Sequence, residues 1–378
     1  GKVLLEGQRV IQDGLIDVAS GQVDIHGKGV AGQATTVELT DRSETRAAGW
    51  VAQAGNDWRV AAPGGKIKVR ADAGDVLLNG ALDVSAPTIT REDGTRLGAS
   101  AGSIEITAAG LATAGDASRG QVILGESAKL KGQALAAATS GRISLDAGKL
   151  ALTAAAKAAD ANRSALDALA RLTQDGGFHQ DIAVRVREGD QSLNSTMQAT
   201  RVQISADAGA LTLGKDAVVD ARAERGGVVQ LTAGKDLTLS SGSQVLADSS
   251  ADGQVGANGG DILLGSTEGW VDLQSQAVVS AQGDDAADGR IVIRAKVQAD
   301  VDHLGEEADA NRIEVRKIGA ALKAADIQVE GVQTYRTEAG ANAHTQTVVS
   351  ASRGPITRTV VTLEGKQSVT TTQKGSGI

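Results

Sequence analysis

The stretch Lys66-Ile67-Lys68-Val69-Arg70-Ala71 alternates apolar and polar residues, the period-two pattern of a strand with one buried face. A short turn, Asp72-Ala73-Gly74, follows it, and then two more apolar pairs, Val76/Leu78 and Val84/Ala86. The same frame returns without a gap. Val202/Ile204, Leu211/Leu213 and Val219/Ala221 repeat the three pairs at one constant offset, and Ile262/Leu264, Val271/Leu273 and Val279/Ala281 repeat them at another. A slightly contracted copy has Val229/Leu231, Leu237/Leu239 and Val245/Ala247. Partial copies begin at Ile104/Ile106, Ile143/Leu145 and Ile291/Ile293.

The turns within a unit are too tight to hold a crossover helix, so its three strands cannot lie side by side in one parallel sheet. If each unit makes one turn of a coil, every strand pairs with its counterpart in the next unit, at a rise of about 4.8 Å. The inward positions then stack into one continuous core. The predicted fold is all-β, a parallel β-helix (solenoid) with loop insertions and one short helical insertion. Gly65, Gly227 and Gly260 precede the strand pairs and are expected to supply turn conformations with positive φ. A β-sandwich or barrel also has short strands and Gly-rich turns, but it carries no fixed-offset self-similarity and needs a bulkier core.

The coiled region is expected over residues 1–340, interrupted by a helical insertion at about 153–175. Thr153 to Leu172 is rich in Ala and Leu, with Leu166, Leu169 and Leu172 on one helical stripe. Ser164 and Asp167 resemble a capping box that starts the helix, Asp167 and Arg171 are an i,i+4 pair, and Gly176-Gly177 would end it. The expectation is a helix laid along the outside of the coil over an apolar strip; the alternative is a protruding element that contacts a partner. From Val301 the frame loosens, although Ile313/Val315 and Ile327/Val329 still have strand character. Residues 341–378 are rich in Thr, Ser and Val, as in Thr345-Gln346-Thr347-Val348-Val349 and Thr359-Val360-Val361-Thr362-Leu363. This tail is expected to form edge strands or the start of a further segment.

Composition narrows the core. The chain has 48 Gly and only 1% aromatic residues, so it cannot fill a wide interior with rings, but Val, Ile, Leu and Ala fill a narrow one. A net charge of −8 gives no electrostatic footprint for nucleic acid. The absence of Cys removes disulfides and thiolate metal sites. No stretch reaches the ~20 apolar residues of a membrane helix. The chain opens Gly1-Lys2-Val3-Leu4-Leu5, with no initiator Met and no signal-peptide layout, so it is expected to be a processed chain or an internal fragment.

Candidate chemistry is sparse. His26, His179, His303 and His344 are scattered, without metal-ligand spacing, and are expected to be exposed or in loops. The acidic turns Gly283–Gly289 and Asp248–Gly253 offer hard oxygen ligands suited to calcium. They do not follow the nonapeptide of calcium β-rolls, so solvated loops are the expectation. A pectate-lyase-like or glycosidase-like coil would align acidic and basic groups at outward positions of neighbouring units. The outward positions Lys68, Leu77, Gln203, Thr212, Leu263 and Asp272 are instead mixed, with no acidic or Arg ladder. Sugar clefts use aromatic platforms, and only Trp50, Trp58, Trp270, Tyr335 and Phe178 are available; Trp50 and Trp58 are expected to form a loop cap on the core. No catalytic, cofactor-binding or metal-ligating residue is assigned, and the chain is expected not to be an enzyme.

The units Gly65-Lys-Ile-Lys-Val-Arg-Ala, Gly74-Asp-Val-Leu-Leu-Asn-Gly, Leu82-Asp-Val-Ser-Ala and Gly234-Lys-Asp-Leu-Thr-Leu-Ser-Ser-Gly-Ser resemble the shafts of filamentous haemagglutinin-like large exoproteins, the two-partner secretion adhesin family. Ala325 to Tyr335 resembles their strand units as well, and the likeness covers about residues 1–340. The resemblance implies a right-handed parallel β-helix, exported unfolded through an outer-membrane two-partner secretion transporter. It implies a secreted or cell-surface adhesin, acting in adhesion, cell aggregation or biofilm matrix, with a host-cell surface, a bacterial surface or exopolysaccharide as partner and lateral self-association between shafts. Members with haem-acquiring or toxin-delivering roles share such shafts. The Asn-Pro-containing motifs of the family's secretion domain are absent, so this segment is not expected to engage the transporter. The rival functions are a polysaccharide-processing β-helix enzyme and a calcium-stabilised module.

Overall fold

A computed structural model describes residues 1–29, 33–54, 58–108, 120–135, 138–249, 257–283, 289–299, 311–336, 344–351, 356–362 and 368–373. Strand takes up 52% of the chain and helix 6%, in long parallel sheets, which makes the fold all-β and solenoid-like. The chain divides into two compact units, one of Gly1–Ser205 with Val218–Asp220, the other of Ala206–Ala217 with Ala221–Ile378.

In the first unit the chain winds through three faces. The long face stacks Lys2–Gly7, Gln22–Gly27, Lys66–Ala71, Ser103–Ala108, Arg142–Ala147 and Asp181–Val186 in parallel. The second face stacks Arg9–Gln12, Thr35–Leu39, Gly74–Leu78, Gln121–Leu124 and Lys149–Leu152. The third stacks Leu15–Asp17, Glu44–Arg46, Ala81–Asp83 and Lys129–Lys131. Register places like on like. Val23, Ile67, Ile104, Ile143 and Ile182 form one inward column, and Ile25, Val69, Ile106, Leu145 and Val184 form the next. All ten are buried, and each full burial stabilises by roughly 1.5–3 kcal/mol.

The second unit repeats the arrangement. Val228–Ala233, Asp261–Ser266, Arg290–Ala299 and Asp326–Arg336 form its long face. Leu237, Val271 and Val315 align on the second face, and Val245, Val279 and Leu322 on the third. After Asp326–Arg336 the pairing turns antiparallel through His344–Ala351, Ile356–Thr362 and Ser368–Gln373. The Thr/Ser-rich tail therefore forms strands, in a different mode from the coil.

Two expectations need correction. In the coil opened by Lys66 the third strand is Ala81–Asp83, with Leu82 inward and Val84 buried at the corner, while Ala86 is only half-buried. Its third pair is thus Leu82/Val84 and not Val84/Ala86, because Asn79-Gly80 makes a shorter turn than Gly214–Ala217 does before Val218–Asp220. Gly65 and Gly260 are also not positive-φ turn residues; Gly226, at φ 70°, takes that conformation at the corner before Gly227. Gly65 is needed for close approach, since a Cβ there would lie 1.9 Å from the Gly21 carbonyl oxygen of the preceding coil. Corner side chains tie the layers further. Asp75 accepts from the Gln121 amide at 2.8 Å, Asn79 from that of Ser127 at 3.1 Å, and in the second unit Asp236 accepts from that of Trp270 at 2.9 Å.

Candidate functional site

The first unit departs from its own repeat after Lys149–Leu152. Helix α1 (Ala154–Ala159) starts on Thr153, whose hydroxyl accepts from the Ala156 amide at 3.2 Å. Helix α2 (Ala165–Asp175) starts on the predicted Ser164–Asp167 capping box and closes at Gly176, with Gly177 at φ 73°. On one side α2 packs against Lys129–Lys131, and on the other against Gln191–Leu193 and Thr196–Gln198. It therefore takes the layer where the coil would place a third-face strand, and does not lie along the outside as expected. A helix about 10 Å across fills the space of one omitted strand between two retained ones, twice the ~4.8 Å strand spacing. Leu166 and Leu169 are fully buried and supply the aliphatic surface that the missing strand would have given.

Asp167 is not partnered by Arg171. Its buried carboxylate accepts from Ser164 Oγ at 2.8 Å, from the Asn194 amide at 2.6 Å, from Asn194 Nδ2 at 3.2 Å and from Ser195 Oγ at 2.8 Å. Burial works to raise this carboxyl, but the donors from Asn194, Ser195 and Ser164 outweigh it and hold it below the ordinary Asp range. At the other end of α2 the chain re-enters the coil through Phe178, which is completely buried. Its ring lies over Gly132 and Gly141, where a Cβ would come within 2.7 and 2.9 Å of ring carbons. Gly132 N donates to Gly176 O at 2.7 Å and Phe178 N to Thr173 O at 2.9 Å. Phe178 is thus a plug and not a sugar platform.

Between α1, α2 and the wall made by Gln121–Leu124 and Lys129–Lys131 lies a groove of about 620 Å³. Leu124, Leu130, Leu152 and Leu172 give it an aliphatic lining, and Lys129, Lys131, Arg163 and Arg171 stand along it with Glu126 and Asp175. Lys131 is shared between Glu44 and Asp83 at 3.6 and 3.7 Å, and Arg163 lies 3.3 Å from Asp160. Lys129 and Arg171 are exposed, with no ion-pair partner among the described residues. In a chain of net charge −8, this lining carries more cations than anions.

The outward face of the long sheet is more ordered than the sequence implied. Arg70 reaches Asp24 with two bonds of 3.1 Å, Glu105 lies between Lys66 at 2.8 Å and Lys68 at 3.3 Å, and Arg187 holds Asp146 at 2.7 Å. A charge ladder does exist, but its carboxylates are paired off rather than converging in a cleft. The Lys66 ammonium holds the Glu105 carboxyl below its usual range, burial opposes this, and Lys68 adds to it. His26 is also not a loop residue. It is buried in the strand Gln22–Gly27, Nε2 2.7 Å from Asp72 and Nδ1 3.4 Å from Glu6. His179 is exposed as expected, while His303 and the side chain of His344 lie outside the described residues.

Asp181, which opens its strand opposite Arg142, is the exception to this pairing. Burial raises its carboxyl above the ordinary value despite the pull of Arg201 and Arg142, and its Oδ1 has no hydrogen-bond partner. A raised folded-state value favours the fold below the unfolded Asp pKa, and that benefit disappears as pH rises through the folded one. At neutral pH the charge is therefore a burden, and Asp181→Asn is expected to raise Tm by about 1–2 °C. Thermal melts at pH 7 and pH 3 check this, since the gain should vanish at the lower pH.

The aromatic residues divide. Trp50 is 51% exposed, beside the hairpin of Val51–Ala54 and Trp58–Ala61, so it does not cap the core. The side chains of Trp58 and Tyr335 lie outside the described residues. In the second unit Trp270 is covered by the Arg316 guanidinium, 5.4 Å from the ring centre. Most of the acidic turns, residues 250–253 and 284–288, lies outside the described residues. Asp248 accepts from Ser280 Oγ at 2.5 Å and from the Gln282 amide at 2.7 Å. Among the described residues no group of three His, Asp or Glu side chains is arranged to hold a metal ion.

Sequence reasoning located the helix and its cap, but not the groove. The cations that line it are spread from Lys129 to Arg171, and no spacing rule brings them together. No protein-family model, curated protein or solved structure matches this chain.

Proposed function

We propose that this chain is a segment of a right-handed parallel β-helical stalk in a secreted, surface-exposed bacterial exoprotein, acting in adhesion, cell aggregation or biofilm matrix. In this reading it is not an enzyme. The full-length protein passes an outer-membrane transporter, and a cell surface or exopolysaccharide is its partner. One observation carries the proposal: aliphatic inward columns continue coil after coil, while outward carboxylates such as Asp24, Glu105 and Asp146 are tied to Lys or Arg of other coils. Such pairing stiffens a scaffold and occupies carboxylates that acid–base chemistry on a substrate would need free.

The test is a panel of acidic and neutral polysaccharides incubated with the purified chain, alongside binding to bacterial and host-cell surfaces. The expected result is surface binding without cleavage. Lys68→Gln is expected to change stability by no more than about 0.5 kcal/mol, the worth of a surface ion pair, and to leave surface binding intact. Cleavage of a polysaccharide that disappears on a single carboxylate substitution would overturn the stalk and establish the enzyme reading.

A further inference from the structure

We infer that the corner between the third and long faces of the first unit binds an acidic polysaccharide, laid along the coil axis. The inference rests on the stalk reading and deepens it, by naming the partner's chemical class and its place. Register builds a trough at this corner. Gly21, Gly65 and Gly102 lie one coil apart, each immediately before a long-face strand. A Cβ at Gly65 would lie 1.9 Å from the Gly21 carbonyl oxygen, and one at Gly102 would lie 1.8 Å from that of Gly65, so the floor is bare backbone. Ser20, Ser100 and Thr139 line the trough on the third-face side, and Gln22, Lys66, Ser103 and Arg142 on the long-face side. Its volume of about 580 Å³ falls within the roughly 300–1,000 Å³ of small-molecule sites.

Elsewhere on the long face Asp24, Glu105 and Asp146 are paired off, and Lys66 is held by Glu105 at 2.8 Å. The rest of the trough is different. Among the described residues Gln22, Ser100, Ser103 and Thr139 make no side-chain hydrogen bond, and the exposed Arg142 pulls on Asp181 without an ion pair. Ser20 is an independent sign: its φ of 53° is uncommon for a residue with a side chain, and its buried Oγ has no hydrogen-bond partner. Hydroxyls and an amide repeating from coil to coil at about 4.8 Å suit a chain that presents hydroxyls on every sugar unit. Arg142 adds a fork for a carboxylate. A peptide finds no free strand edge, because the Lys66 and Ser103 amides already donate to Gly21 and Gly65 at 2.8 and 3.0 Å. A nucleic acid needs several unpaired cations for its phosphates, and Arg142 alone does not supply them.

Isothermal titration of the intact chain with tetragalacturonate, maltotetraose and tetraglutamate tests this. Tetragalacturonate is expected to bind, maltotetraose to bind about tenfold more weakly, and tetraglutamate not to bind. Arg142→Gln should reduce tetragalacturonate to the level of maltotetraose, and Ser100→Ala/Thr139→Ala should weaken both sugars about tenfold. Arg201→Gln, which also faces Asp181 but lies outside the trough, should bind like the parent chain. All these side chains are exposed or half-buried, so circular dichroism should show an unchanged fold. Absent tetragalacturonate binding, equal binding of maltotetraose or of tetraglutamate, or unaffected trough variants would each overturn the inference. Cell-surface binding that persists in that case would leave the stalk reading standing, whereas cleavage of either sugar would overturn both.

Discussion

Phe178→Ala is expected to cost about 4 kcal/mol and to lower Tm by roughly 10 °C. The side chain is the only Phe in the chain and the largest that is fully buried among the described residues. Gly132 and Gly141 lack the Cβ atoms that would collide with its ring, so ring and glycines form one complementary set. Truncation leaves a cavity that two backbone segments, pinned by the Gly132 to Gly176 and Gly141 to Gly132 hydrogen bonds, cannot collapse to fill. Phe178→Leu retains most of the volume and should cost less than half as much. Circular dichroism melts of the three proteins measure this directly. A loss below about 1 kcal/mol for the Ala variant would show that the junction relaxes around the missing ring.

Asp167→Ala should cost about 3 kcal/mol, the penalty for leaving several buried donors without their acceptor. It removes the carboxylate half of the α2 capping box, which accepts from the Ser164 amide and hydroxyl, and at once the link from that helix to Asn194 and Ser195. The sign of its pH dependence follows from a folded-state pKa held below the ordinary value. The stabilisation is present above the unfolded Asp pKa of ~3.9 and is lost as pH falls through the lower folded value. The difference in Tm between parent and variant should therefore be full at pH 7 and shrink below about pH 4. Amide exchange in Ala165–Asp175 should accelerate in the variant at neutral pH. Unchanged protection there would mean that α2 is held by Leu166 and Leu169 alone.

The helix shows how far the sequence reaches. Ser164 and Asp167 announced its start, and Gly176-Gly177 its end, because capping is a local bargain between a side chain and amides three residues away. The partner of Asp167 was misread for the same reason. Local spacing offered Arg171 one turn along, whereas burial brought Asn194 and Ser195, a full coil further on. His26 was misjudged likewise, since its neighbours Glu6 and Asp72 come from the coils on either side.

The repeat itself was set by sequence alone. Period-two alternation decides which side chains turn inward, and a constant offset decides which of them stack, because parallel pairing in register rewards like over like at every layer. Tertiary structure decided what happens where layers fail to match. Asn79-Gly80 pulls the third strand two residues forward, Gly65 yields to a carbonyl 1.9 Å from where its Cβ would be, and α2 takes the place of a strand. The groove lined by Leu124, Leu130, Lys129 and Arg171 lies where α1 and α2 replace the repeat. That replacement belongs to the packed coil, and no single unit of the sequence contains it.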